Sequence, residues 1–91
     1  MKLTKQHIEE QGFIFKRKNH VRQWFEKTFP EVGGNFYGYN ILKSQLIHDE
    51  EQEKLEIKYD FEGADQWETV FEGWCPTLED FQFLMKLLRL K

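Results

Sequence analysis

The stretch Thr77 to Leu90, TLEDFQFLMKLLRL, limits the possible folds more than any other part of the chain. Wound at about 100° per residue, it puts Leu78, Phe81, Leu84, Met85 and Leu88 on one broad stripe. It puts Phe83, Leu87 and Leu90 on a second stripe roughly 140° away, with Gln82, Lys86 and Arg89 on one side between them. The first stripe requires a sheet to lie on. The second requires another part of the chain or a different molecule, because large apolar patches are rarely left open on a monomer.

The sheet is expected upstream. Leu55, Ile57, Tyr59 and Phe61 alternate with Glu56, Lys58 and Asp60, and Trp67, Thr69 and Phe71 alternate with Glu68, Val70 and Glu72. Joined by the loop Glu62 to Gln66, the two runs pair with Phe61 opposite Trp67, which sends their apolar residues to one face. The same register sets Asp60 against Glu68 and Glu56 against Glu72, a cross-strand repulsion that folding alone would avoid.

Phe13 to Lys18 alternates as a half-buried strand, and Phe36 to Ile47 reads as a long strand with a bulge at Gly38. Val21 to Phe29 satisfies both a strand and a helical period; the strand reading is adopted here, with Pro30 ending it and PEVGGN (30–35) forming a loop. His48 to Glu53 reads as an acidic turn, and Gly73 to Pro76 as another. Leu3 to Gln11 is a short helix capped by Thr4 and stopped by Gly12, too short to hold without docking. Thr77 and Asp80 open the last helix as a capping box. The expected fold is α+β in one compact domain, residues 1–91: a short N-terminal helix, a four- to five-stranded antiparallel meander, and a C-terminal amphipathic helix packed on one sheet face.

A 91-residue chain supports one core. Because 16% of it is aromatic, that core must be bulky. The single cysteine, Cys75, excludes an internal disulfide, and no apolar run is long enough to span a membrane. The start, MKLTKQHIEE, lacks the apolar region of a signal peptide, so a cytoplasmic location is expected.

The residues offer little chemistry. His7, His20 and His48 fall in separate elements, none at metal-ligand spacing from Cys75, so no metal or other cofactor is expected. Cys75 precedes Pro76 at a strand-to-helix corner without a base in position, and the glycines form no phosphate-cradling motif. A non-enzymatic role is expected.

Three binding features remain. Net charge is -3, but Met1 to Gln45 carries eight Lys and Arg against four Asp and Glu, while Leu46 to Lys91 carries five against twelve. The acids of the second half define a possible partner-binding face: Asp49, Glu50, Glu51, Glu53, Glu56, Asp60, Glu68 and Glu72. Ranked carboxylates can imitate a nucleic-acid backbone, and they can also simply keep a solvated face from aggregating. The stripe Phe83, Leu87 and Leu90 either packs on the N-terminal helix through Leu3 and Ile8 or forms a docking or homodimer seam. Lys16, Arg17, Lys18 and Arg22 with Trp24 suit phosphate contact plus base stacking, although a net acidic chain argues against general affinity for polyanions, so direct nucleic-acid binding ranks below a protein or ribonucleoprotein partner.

The order of a Thr-led helix ending in Gly-Phe (LTKQHIEEQGF), a meander, and a last strand running into VFEGWCPTLEDFQFLMKLL resembles a group of small proteins of phages and mobile elements. That resemblance implies a compact helix, meander, helix domain with no catalytic residues. It also implies an inhibitor of host defence, of which anti-CRISPR proteins that bind an effector nuclease or its guide-RNA complex are the best known class.

Overall fold

A computed structural model describes residues 1–28, 35–36, 39–61 and 67–88, with 35–36, 39–42 and 61 described by backbone alone. Helix α1 (Lys5–Glu10) is followed by strands β1 (Ile14–Asn19), β2 (Arg22–Thr28), β3 (Asn35–Phe36), β4 (Tyr39–Asp49), β5 (Lys54–Phe61) and β6 (Trp67–Trp74), then helix α2 (Leu78–Leu87). All pairings are antiparallel in the order β1-β2-β4-β5-β6, with β3 attached to β4. The chain is therefore α+β, as its periodicities imply, and 22–28 is a strand.

Each helix is shaped by its caps. The Thr4 hydroxyl accepts the His7 amide at 3.3 Å while His7 Nδ1 accepts the Thr4 amide at 3.1 Å, a reciprocal box that satisfies two donors at the start of α1. Gly12, at φ +103°, ends that helix in a conformation L side chains rarely adopt. At α2 the Thr77 hydroxyl accepts the Asp80 amide at 3.1 Å and donates to the Asp80 carboxylate at 2.8 Å. The two helix starts are tied together, since the Leu3 amide donates to the Pro76 carbonyl and the Leu78 amide to the Met1 carbonyl.

One face of the sheet carries the core. Phe25, Leu46 and Ile57 lie in one cross-strand row and are fully buried; Leu55 and Tyr59 extend the floor. Phe81, Leu84, Met85 and Leu88 of the last helix lie on it, joined by Leu3, Ile8 and Phe13 from the N-terminal segment. The first stripe read from the sequence is thus the buried face of α2, with Leu78 at its margin.

Several boundaries depart from expectation. The long strand starts at Tyr39 rather than Phe36, because Asn35–Phe36 folds back to pair with 39–40. It runs on to Asp49, so the expected acidic turn loses His48 and Asp49 to the strand; β6 likewise runs through Trp74 into the expected turn. Gly38, the loop 62–66, Phe29, Pro30 and Leu90 lie outside the described residues.

The expected register of β5 on β6 holds only in part. Glu56 faces Glu72 and Ile57 faces Phe71, but a bulge then slips the pairing so that Lys58 faces Thr69, Tyr59 faces Glu68 and Asp60 faces Trp67. One extra residue, Val70, accounts for the slip. Where two residues oppose one, neighbours can lean to the same side, and both Val70 and Phe71 pack against the core.

Candidate functional site

The expected acidic face is dispersed by this geometry. Asp60 is fully buried on the face opposite the helices, and neither of its carboxylate oxygens has a hydrogen-bond partner among the described residues. Its cross-strand neighbours are Lys43 and Trp67, whose side chains meet across it, with the Lys43 ammonium 5.5 Å from the Trp67 ring centre. Asp49 is buried as well and serves the β4–β5 turn. Its Oδ1 accepts the amides of Glu51 and Gln52 at 3.0 and 2.9 Å, and Arg22 approaches Oδ2 at 3.5 Å. These bonds, the Gln52 amide first, hold its carboxyl below the usual carboxylate range.

The other acids are separated too. Glu50 accepts from the Gln23 side-chain amide at 2.8 Å and pairs with Lys18 at 3.5 Å. Glu53, half-buried at φ +55°, offers its carbonyl to the Cys75 amide at 2.8 Å. Glu68, opposite the core residue Tyr59 rather than opposite Asp60, is directed to the helix side of the sheet by the bulge. Only Glu56 and Glu72 stand together as expected, with Lys58 3.9 Å from Glu56. They border a hollow of about 250 Å³ that also contains Arg22 and Lys54, so the surface there carries both signs. Glu51 is exposed in the turn.

The basic hairpin is assembled, but much of it is engaged. The Arg17 guanidinium lies 3.9 Å from the centre of the Trp24 ring and covers the face a base would need. Lys18 and Arg22 pair with Glu50 and Asp49, Phe25 is in the core, and Lys16 is exposed.

The second stripe on α2 is open. Leu3 and Ile8 belong to the main core and leave Phe83 67% and Leu87 63% exposed. These two side chains do not stand alone. With Leu84 they form one wall of a cleft of about 270 Å³ whose other wall is Phe71 and Trp74 of β6, closed at one end by Cys75 and Asp80. Trp74 is 71% exposed. The ring of Phe71 lies along its own strand, within 3.2 Å of where a Cβ on Gly73 would stand, so that glycine gives the ring its place.

Periodicity within the chain does not single out Trp74 and Phe71 as site residues. The available signal was topological: the last strand of a meander, followed at once by a helix that crosses the sheet, is an edge with the helix beside it.

Cys75 in this cleft is not poised for nucleophilic chemistry. Burial pushes its thiol up to about 11, and Asp80 acts in the same direction, so the thiolate is scarce near neutral pH. No group of histidine, cysteine and carboxylate side chains able to hold a metal occurs among the described residues, and no helix is long and apolar enough to cross a membrane. No protein-family model, curated protein or solved structure matches the chain.

Proposed function

We propose that this chain is a non-enzymatic protein-binding module that meets its partner through the cleft between β6 and α2. The observation that carries this reading is the exposure of Phe83, Leu87 and Trp74 around one cleft. Single exposed apolar residues are ordinary, whereas several converging on a concave surface mark an interaction site. Burying them against a partner removes apolar area from water at about 25 cal/mol per Å² before the losses of association are counted.

A mobile-element inhibitor of a host effector nuclease or its guide-RNA complex is the narrower form of this proposal. It is supported by the resemblance of the chain and by the Glu56–Glu72 pair. Because Asp60 and Glu68 are not beside that pair, binding is assigned to the cleft first.

The test compares capture of host proteins by three immobilised forms: wild type, Phe83→Ser with Leu87→Ser, and Glu56→Lys with Glu72→Lys. A partner kept by wild type and lost by the α2 variant supports the cleft. Recovery of the same partners at the same yield by the α2 variant refutes it, and loss only in the charge variant moves the site to the Glu56–Glu72 pair.

A further inference from the structure

We propose that the cleft's occupant is an extended, positively charged segment of another protein that adds as a strand to the free edge of β6. This rests on the reading of the cleft as a protein-binding face and specifies both the mode and the chemistry.

The sheet order ends at β6, so among the described residues the strand is paired on the β5 side only. An edge strand presents a row of backbone donors and acceptors to any chain laid beside it. The bulge at Val70 divides β6 into two regularly paired runs, 67–69 and 71–74, and the second supplies Phe71 and Trp74 to the cleft. A strand added there sends alternate side chains toward Phe83 and Leu87 on α2, so main-chain bonds supply affinity and the apolar wall supplies selection.

The charge of the occupant follows from the rim. Glu72 and Glu68 stand on β6, and Glu79 and Asp80 at the start of α2; all four are exposed, with Glu79 paired to the N-terminal ammonium at 3.0 Å, which leaves three acids to set the sign. Trp67–Trp74 carries no Lys or Arg; the cations near it are Lys86 on α2, Lys54 opposite Trp74 on β5, and the N-terminal ammonium held by Glu79. The opposite edge, β1, carries exposed Lys16, Arg17 and Lys18, the residues that commonly guard an edge against pairing. The β6 edge is guarded only against acidic strands.

A second copy of this chain fits poorly. Antiparallel pairing of two β6 strands about Glu72, within the run that lines the cleft, sets Glu72 against its own copy, and like charges in that position repel. Pairing of β6 with β1 of another copy matches charges but is heterologous, and gives rings or filaments rather than a closed dimer.

Fluorescence anisotropy with short labelled peptides tests the proposal on the intact chain. The probes are an alternating lysine–valine peptide, its glutamate–valine counterpart, and the lysine–valine peptide N-methylated at alternate amides. Only the unmodified basic peptide is expected to bind, weakening as salt rises and by about tenfold or more in Leu87→Ser. Glu68→Lys with Glu72→Lys is expected to reverse the preference toward the acidic peptide. Equal binding of the N-methylated peptide overturns strand addition, yet with Leu87→Ser still sensitive it leaves the protein-binding reading standing. Equal binding of the acidic peptide overturns the charge assignment. No binding of any peptide, or a dimeric or larger mass by light scattering of the free protein, overturns the proposal.

Discussion

Glu56 and Glu72 face each other across β5 and β6, and Lys58, on the same strand as Glu56, lies 3.9 Å from it. Two carboxylates in that position repel, and replacing one by a cation converts a cost into a gain. Glu72→Lys is expected to stabilise the fold by roughly 0.2–1 kcal/mol, read as a higher urea midpoint with an unchanged slope. An unchanged or lower midpoint would show that solvent already screens the pair.

The two stripes of α2 differ in what they touch. Leu84 is buried in the core, so Leu84→Ala is expected to cost about 2–5 kcal/mol, whereas Leu87→Ser, 63% exposed, should stay within about 0.5 kcal/mol of wild type. Denaturation of the two variants side by side checks the rotation of the helix about its axis. Comparable losses in both would mean that Leu87 is covered in solution.

At Gly12 the backbone sits at φ +103°, and an added Cβ would approach the Lys27 side chain to 3.3 Å, where Lys27 donates to the Gln11 carbonyl. Gly12→Ala is therefore expected to destabilise by about 1 kcal/mol or more, since both backbone and neighbour must yield. A thermal midpoint equal to wild type would contradict this.

His48 is buried on the core side of β4 and its Nδ1 lacks a partner among the described residues. Burial holds its imidazole below the ordinary 6.5; Glu50, Asp49 and Glu53 oppose that, and Lys2 adds to it. Between the lowered value and 6.5 the unfolded chain takes up a proton that the folded chain does not. Stability is thus fully present above 6.5 and falls as pH drops through that window. Urea midpoints measured from neutral pH downward, stopping before carboxylates titrate, should decline in wild type and stay level in His48→Leu. Equal slopes in the two proteins would remove His48 as the cause.

Much of this architecture is legible in the residues. The α2 stripe, the Thr4 and Thr77 caps and the alternation of Leu55, Ile57 and Tyr59 each depend on spacing within one segment, and each is found where that spacing puts it. The strand at 22–28, which also fitted a helical period, is decided by partners on both sides, with Phe25 between Phe15 and Leu46.

The candidate site was legible only in part. That Phe83 and Leu87 form a second face follows from helix geometry, but the cleft they line needs Phe71 and Trp74 from another element. The acidic face expected from alternation is broken up for a specific reason. Perfect alternation extrapolated the Glu56–Glu72 register to Asp60 and Glu68, and a bulge is invisible to a pattern whose period it interrupts. The core contacts of both Val70 and Phe71 are what make that interruption favourable.

The extra residue at Val70 also fixes how this strand tolerates change in length. Deleting Val70 would remove the bulge and leave the cross-strand partners as they are, with Thr69 opposite Lys58, Glu68 opposite Tyr59 and Trp67 opposite Asp60. What such a shortened chain would lose is one side chain from the core and the local twist that the extra residue adds. The bulge is thus a place where one residue can be lost without turning the strand over.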